Sequence, residues 1–138
     1  MLDTTTEAGA RAEGRLRDEE VVWMTTVRPD GQPQSVPVWF LWEGGSFLIY
    51  SQPDTRKLKN IAQNSKINLN LNSNEVGEDV VRAECEAEVL VGAPPATEVG
   101  PYLEKYREGI ARIGMDPEGF AASYSVAIRV TPTRWQVW

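Results

Sequence analysis

The sequence predicts a mainly β domain with a few helices, in which about six antiparallel strands close into a small barrel. The first supporting observation is a series of short segments rich in Val, Thr, Trp and Ile, separated by turns that contain Gly or Pro. The second is the alternation of apolar and polar residues over residues 66–72 and 80–91, which is typical of strands with one buried face. Closure into a barrel would leave no long strand edge exposed.

Length and composition favour a single domain. The chain has 138 residues, of which 41% are hydrophobic, and a chain of this size can bury a sizeable core without cross-links. We expect one domain over residues 1–138, with residues 1–17 forming an N-terminal helix that can lie at its periphery. No internal repeat or linker divides the sequence.

Charge and cysteine content argue against several classes of function. The net charge of −6 disfavours general binding to nucleic acids or to anionic membranes. The N-terminus lacks the apolar core of a signal peptide, and the longest apolar run, residues 36–42, is too short to span a membrane. The single cysteine, Cys85, cannot form an internal disulfide, which is typical of a cytoplasmic protein. The absence of histidine removes His-dependent triads and the common zinc sites, so we expect no metal centre.

The first half of the chain is predicted to form a three-stranded antiparallel meander. The expected strands and the turns between them cover residues 21–27, 28–32, 34–42, 43–45 and 46–50. In the first turn Pro29 and Asp30 favour turn initiation, and Gly31 can adopt a positive φ. Pro37 cannot donate a ladder hydrogen bond, so its strand must be interrupted or lie at an edge there. Such an interruption can free backbone groups for a ligand, or it can simply bend the barrel.

The second half is predicted to contain two alternating strands, a helical region and two closing strands. The expected elements are strands over residues 66–72 and 80–91, a helix over 97–109, a loose segment over 115–120, and strands over 124–130 and 134–138. Cys85 falls on the small apolar face of its strand, where core packing is favoured over nucleophilic chemistry. Thr131, Pro132 and Thr133 are expected to separate the two closing strands.

A further helix is expected to begin near Thr55, directly after a polar turn. Asp54 or Thr55 can cap its first turn by accepting a hydrogen bond from a free N–H group. Its apolar face is predicted to consist of Leu58, Ile61 and Ala62.

Three cations, Arg56, Lys57 and Lys59, fall in the first turn of this helix, where the dipole is positive and acidic residues are preferred. Residues 56–66 contain four basic and no acidic side chains, in a chain that is acidic as a whole. Free N–H groups together with cations favour an anion such as a phosphate. The alternative is that these side chains are solvated on an exposed turn, and the residues alone leave both interpretations open.

The order of these parts resembles the pyridoxamine 5′-phosphate oxidase-like, FMN-binding split β-barrel family, and within it the flavin and deazaflavin oxidoreductases of actinobacterial type. The resemblance extends from about residue 21 to residue 135. It is carried by the segments MTTVRPDGQPQSVPVWFLWEGGSFLIYS, QPDTRKLKNIAQNSKINLNL and VAIRVTPTRWQVW. It implies a six-stranded antiparallel split β-barrel of α+β class. It also implies a homodimer with two cofactor sites at the interface, each completed by the partner.

In that family the turn after the third strand and the basic residues that follow it hold the phosphate of the cofactor. The resemblance therefore assigns the phosphate to Arg56 and Lys57, with Tyr50, Ser51, Gln52 and Thr55 beside them. It places the second strand along the ring system, at Ser35, Val36, Pro37 and Val38. Among the tryptophans, Trp135 is the candidate nearest the ring, while Trp39, Trp42 and Trp138 are expected mainly in the core or the dimer interface.

The chain departs from the oxidase members of the family in one respect. Those members carry an Arg in the second strand and a Lys a few residues later, both of which reach FMN. Here Gln34 and Ser35 stand at the first position, and residues 39–41 (Trp-Phe-Leu) stand at the second. The departure weakens the FMN oxidase interpretation and favours the branch similar to enzymes that use coenzyme F420.

The leading hypothesis from the sequence is an oxidoreductase that binds coenzyme F420 and transfers a hydride to an unsaturated small molecule. The alternatives are an FMN-dependent reductase or oxidase and a flavin or deazaflavin carrier without turnover. Because the reactive carbon belongs to the cofactor, no catalytic side chain is assigned. Tyr50, a water molecule or another hydroxyl could supply a proton, and the sequence does not identify the substrate.

Overall fold

The computed structural model describes all 138 residues, which form seven strands and four α-helices. The strands are β1 (Val22–Val27), β2 (Pro33–Val38), β3 (Leu41–Glu43), β4 (Ser46–Ser51), β5 (Lys66–Asn70), β6 (Val81–Val89) and β7 (Val126–Val137). The helices are α1 (Glu7–Asp18), α2 (Arg56–Gln63), α3 (Gly100–Arg112) and α4 (Pro117–Ser123). A short 3-10 helix, Ala96–Glu98, precedes α3, so the predicted helix over residues 97–109 is divided in two.

All seven strands belong to one antiparallel sheet with the order β2-β1-β5-β6-β7-β4-β3. The predicted class, a mainly β antiparallel split barrel with a few helices, is confirmed, although the strands number seven where the resemblance implies six. β2 lies at one edge of the sheet, where Pro37 can be accommodated because an edge strand pairs on one side only.

The predicted three-stranded meander is wrong, because the chain leaves the first hairpin at Trp39 and Phe40. β1 pairs with β2, whereas β3 pairs with β4 at the opposite edge of the sheet. The buried N–H of Phe40 donates to the hydroxyl of Tyr106 at 2.8 Å, and its carbonyl accepts from Nζ of Lys105 at 2.9 Å. Side chains of α3 thus replace strand partners at the crossing, which no local sequence pattern could indicate.

Two expectations near the C-terminus are corrected. The two predicted closing strands are one strand, β7, because Thr133 forms a bulge opposite Glu84 and Cys85. The hydroxyl of Thr133 donates to the carbonyl of Glu84 at 3.0 Å. The segment predicted to be loose belongs largely to α4, which Asp116 caps by accepting from the N–H of Gly119 at 2.7 Å.

Two hydrophobic clusters lie on opposite faces of β4 and β7. The first fills the barrel and includes Ala12 and Leu16 of α1, Ile49 of β4, and Cys85. Burial raises the pKa of the Cys85 thiol to about 12, which fits a packing role. The second cluster lies between the other face of β4, which carries Tyr50, and helices α3 and α4. This second interface holds the candidate site.

Candidate functional site

A cavity of about 350 Å³ lies where the end of β2, the turn after β4, and helices α3 and α4 meet. The residues that line it are mostly aromatic or aliphatic: Pro37, Val38, Trp39, Tyr50, Gln52, Lys57, Tyr102, Ile113, Phe120 and Tyr124. A concave, largely apolar space with a few polar groups is the usual form of a small-molecule site.

One wall of the cavity is a stack of aromatic rings centred on Trp39. Its indole lies parallel to Tyr106, with ring centroids 4.7 Å apart, and to Phe120, with centroids 5.5 Å apart. Phe120 stacks in turn on Tyr124 at 4.6 Å. Trp39 can approach α3 this closely because Gly109 has no Cβ, which would lie 3.2 Å from the indole. The stack forms a flat wall that suits a planar ligand.

The turn between β4 and α2 is built by local hydrogen bonds and one unusual backbone conformation. Asp54 adopts a positive φ of 60°, so it reverses the chain and does not cap the helix. Thr55 is the N-cap residue, but its side chain makes no capping hydrogen bond and instead lies 3.3 Å from the hydroxyl of Ser51. Ser51 is buried and donates to the carbonyl of Gln52 at 2.8 Å. The first-turn N–H groups of α2 are therefore left without a side-chain acceptor.

Lys57 is the cation that the fold brings to the cavity. It is half-buried, and no carboxylate lies within ion-pair distance of its ammonium group. Burial lowers the pKa of Lys57 below the ordinary lysine value. A partly desolvated cation without a counter-charge is unfavourable unless a ligand compensates it. Arg56 and Lys59, its neighbours on α2, are exposed and do not line the cavity.

Tyr50 and Gln52 connect the cavity to the surrounding loops. The hydroxyl of Tyr50 donates to the carbonyl of Pro94 at 2.8 Å, and burial raises its pKa. Its proton is therefore committed to the protein, which makes Tyr50 a poor proton donor for a substrate. The amide of Gln52 donates to the hydroxyl of Ser123 at 3.2 Å and links the turn to α4.

Five of the eleven residues assigned from the sequence line the cavity, namely Pro37, Val38, Tyr50, Gln52 and Lys57. Ser51, Thr55 and Arg56 belong to the adjoining turn and helix start without lining it. Whether any of them binds a cofactor stays a prediction.

Three assigned residues lie elsewhere. Ser35 points to the outer face of the sheet, where its hydroxyl lies 2.6 Å from that of Thr25, and Val36 does not line the cavity. Trp135 does not line this cavity either, and its assignment near the ring stays a prediction. Trp135 pairs with Ala83 and packs on the barrel core, its ring 6.3 Å from that of Phe47. The bulge in β7 and the packing of hydrophobic clusters on both faces of the sheet decide this placement. A local sequence pattern indicates neither.

The aromatic residues that α3 and α4 bring to the cavity carry no local signal of a site in the sequence. Tyr102 falls in the predicted helix over residues 97–109, Phe120 in the segment predicted to be loose and Tyr124 in a predicted strand, and the sequence assigns none of them to the site. Trp39 was expected in the core or the interface. The crossing between β2 and β3 is what brings Trp39 beside these rings.

Asn60 anchors α2 to the first hairpin. It is fully buried, and its amide donates to the hydroxyl of Thr26 at 2.9 Å and to the side-chain oxygen of Gln34 at 3.1 Å. Asn60 lies about one turn after Lys57, so these bonds fix the helix that carries the cation against β1 and β2. Ala62, which was predicted to belong to the buried face, is exposed.

The hydroxyl of Tyr106 holds the crossing between β2 and β3, and its removal should destabilise the fold. Besides accepting from the N–H of Phe40, this hydroxyl lies 2.8 Å from the carbonyl of Glu20 and 2.7 Å from that of Phe40, and it donates to one of these two oxygens. Tyr106→Phe leaves the buried N–H of Phe40 without a partner, so we expect a loss of about 1–3 kcal/mol in the free energy of unfolding. Urea denaturation measures the loss, and an unchanged midpoint would contradict this role for the hydroxyl.

The curled antiparallel sheet, with a ligand-sized cavity beside its edge strand, defines a small split β-barrel. The family model for pyridoxamine 5′-phosphate oxidase matches residues 9–138, and the chain belongs to this family. No curated protein sequence matches the chain.

Three solved structures illustrate the range of proteins with a similar fold. An F420 reductase is 24% identical, with a TM-score of 0.71 over 90% of this chain and 94% of that chain. A conserved hypothetical protein from Mycobacterium tuberculosis is 19% identical, with a TM-score of 0.73 over 96% and 84%. The heme storage protein HutZ from Vibrio cholerae is 12% identical, with a TM-score of 0.68 over 96% and 95%. At these identities the likeness establishes the shared fold.

Two further observations concern membranes and metals. None of the helices combines the length and the hydropathy needed to span a bilayer. No three His, Cys, Asp or Glu side chains come together in a way that could hold a metal ion.

Proposed function

We propose that this chain is an oxidoreductase that binds a phosphorylated flavin or deazaflavin, preferentially coenzyme F420, and reduces an unsaturated small molecule. The observation that carries the proposal is Lys57, a half-buried cation without an acidic partner that lines an aromatic cavity next to an uncapped helix start. When bound, the cofactor supplies the hydride chemistry. The protein residues bind and orient it and restrict the access of water.

The residues present fit such a cofactor in two respects. Lys57 supplies the charge that a phosphate needs, and exposed Arg56 on the same turn can add a second contact. The stack of Trp39, Phe120 and Tyr124 supplies a flat apolar wall for a planar ring. The cavity volume of about 350 Å³ lies at the low end for small-molecule sites, so it can enclose a ring system but not a complete phosphorylated cofactor.

The limited volume supports a second proposal, a homodimer in which the partner completes each site. The outer face of the sheet carries two shallow, mostly polar grooves of about 430 and 550 Å³. Ser35, whose side chain lies on this face, would then contact the interface and not the ring held by the same chain. Sedimentation velocity tests the proposal: we expect a dimer at micromolar concentration, and a monomer would contradict it.

The preference for F420 over FMN rests on the absence of cations in β2. Gln34 accepts from Asn60 and Ser35 pairs with Thr25, so both positions of the strand serve the fold of this chain. A phosphate must then depend on α2 and its preceding turn. FMN stays the alternative, as does a carrier without turnover. The chain has no histidine, a common axial heme ligand, and this disfavours a heme-binding role.

Titration of the purified protein with F420 and with FMN separates the two cofactors, because each has its own absorption and fluorescence. We expect saturation at one cofactor per chain and tighter binding of F420. Tighter binding of FMN would select the alternative, and no saturation with either would refute the proposed function. Faster oxidation of bound reduced cofactor when candidate acceptors are added distinguishes an enzyme from a carrier.

The affinity for the phosphorylated cofactor should fall at high pH. The pKa of Lys57 is lowered by burial from the ordinary value of 10.5, and an anionic ligand stabilises the protonated form. At pH values between the pKa of Lys57 in the free protein and its higher pKa in the complex, the complex binds more protons than the free protein. The affinity therefore decreases as pH rises. Isothermal titration calorimetry from pH 7.5 upward measures the decrease. Lys57→Arg, which stays protonated, should give a flat profile, and a flat profile in the unsubstituted protein would contradict the role of Lys57.

A further inference from the structure

Beside the cavity lies the hydroxyl of Tyr102, a buried group that has no hydrogen-bond partner in the protein. Tyr102 lies on α3 and is fully buried, and its side chain lines the cavity. Buried hydroxyl groups are nearly always paired, so an unpaired one calls for an explanation. Neither neighbouring tyrosine hydroxyl forms a hydrogen bond with it, and both have partners of their own, Tyr50 at Pro94 and Tyr106 at the crossing.

The surroundings of Tyr102 limit what the hydroxyl can do. Its ring is fixed edge-on against Tyr50, with centroids 4.9 Å apart, and lies 4.8 Å from the ring of Tyr106. Burial raises the pKa of Tyr102 well above its usual value, so the hydroxyl stays neutral. It can donate a hydrogen bond, but it does not give up its proton. A rigid neutral donor beside a flat aromatic wall is matched by an acceptor oxygen on a planar ring.

We propose that the hydroxyl of Tyr102 donates a hydrogen bond to a carbonyl oxygen of a planar heterocyclic ring bound in the cavity, and thereby selects the ring independently of the phosphate. This inference rests on the proposed function, because it takes that ring to be the cofactor's. Ring and phosphate recognition are then divided between two elements. Tyr102 of α3 contacts the ring, and Lys57 of α2 contacts the phosphate.

Tyr102 and Tyr106 provide a matched pair for the test, since they lie one turn apart on α3 and both are fully buried. In the ligand-free protein Tyr102→Phe removes an unpaired polar atom, so its melting temperature should rise, whereas Tyr106→Phe should lower it. A melting temperature that is unchanged or lowered by Tyr102→Phe would mean that the hydroxyl is already paired, for instance with a buried water, and would overturn the inference.

The binding arm uses each cofactor and its ribityl form, which lacks the phosphate-bearing group: riboflavin for FMN and 7,8-didemethyl-8-hydroxy-5-deazariboflavin for F420. Fluorescence titration should show that Tyr102→Phe weakens binding of the phosphorylated form and of the ribityl form by the same factor. This factor should be about 3- to 10-fold, the value of one hydrogen bond. Lys57→Ala should weaken only the phosphorylated form. An unchanged affinity of Tyr102→Phe for the ribityl form would overturn the inference while the proposed function stands. Failure of the unsubstituted protein to bind either cofactor would overturn both.

Discussion

Substitution of Lys57 by alanine should weaken binding of the phosphorylated cofactor by about 1.5–3 kcal/mol, or about 10- to 150-fold in Kd. The reason is the position of this ammonium group, which lines the cavity, is partly desolvated and has no carboxylate partner in the protein. A charge-assisted hydrogen bond to a phosphate is stronger under these conditions than one made by a fully solvated side chain. Isothermal titration calorimetry with F420 or FMN measures the difference.

Lys59→Ala is the matched control for this prediction. Lys59 lies two residues later on α2, is exposed, and does not line the cavity. Its removal lowers the net charge by the same amount, so any general electrostatic effect on an anionic ligand should appear in both variants. We expect little change in Kd for Lys59→Ala. Equal losses in the two variants would indicate diffuse attraction to the basic cluster and would contradict a specific phosphate contact by Lys57.

Trp39→Ala should have the largest effect on stability. The indole fills the space between Tyr106 and Phe120, and it is held closely against the helix at Gly109. Truncation of a large aromatic side chain in a packed cluster costs about 3–5 kcal/mol in the free energy of unfolding. Because Trp39 is partly exposed, we expect a loss of about 3 kcal/mol. Because the aromatic wall collapses with it, ring binding should be lost as well. Guanidinium denaturation measures the loss of stability, and a titration with the ribityl form of the cofactor measures the loss of ring binding.

Trp138→Ala provides a control with the same change in side-chain volume. Trp138 is 56% exposed, and its link to the fold is a backbone pair with Val80 that alanine retains. We expect a change within about 0.5 kcal/mol, as for ordinary surface substitutions. A loss in Trp39→Ala no greater than that in Trp138→Ala would show that the stack does not hold α3 and α4 against the sheet.

Local alternation in the sequence was sufficient to predict β5 and β6, because each has one face in the barrel, whereas the other strands were predicted from composition and turn residues. In β6, Val81, Ala83, Cys85 and Ala87 are buried while the residues between them are exposed, as the period of two predicts. The crossing at Phe40 could not be predicted, because its backbone partners are side chains on α3, more than sixty positions away in sequence. The apolar run over residues 36–42 is the same whether the chain continues at one edge of the sheet or changes to the other.

The candidate site likewise has one part that local sequence signals indicate and another that they do not. The cation cluster of α2 and Pro37 are local signals of charge and of an interrupted strand, whereas the assignment of Val38 follows from the family resemblance. The wall formed by Trp39, Phe120 and Tyr124 depends on how α3 and α4 pack against the sheet, and a sequence pattern cannot distinguish a ring that lines a cavity from one that fills a core. Trp135 lies outside this cavity for a similar reason: an indole suits either face of β7, and the register that pairs it with Ala83 places it on the barrel core.

The most direct test of the central claim is a crystal structure of the protein with bound F420 or FMN. We expect a phosphate oxygen within hydrogen-bond distance of Nζ of Lys57, and the ring system between the Pro37–Val38 end of β2 and the aromatic stack. A cofactor phosphate bound away from α2, with Lys57 in contact with solvent or with a carboxylate of a second subunit, would contradict the account.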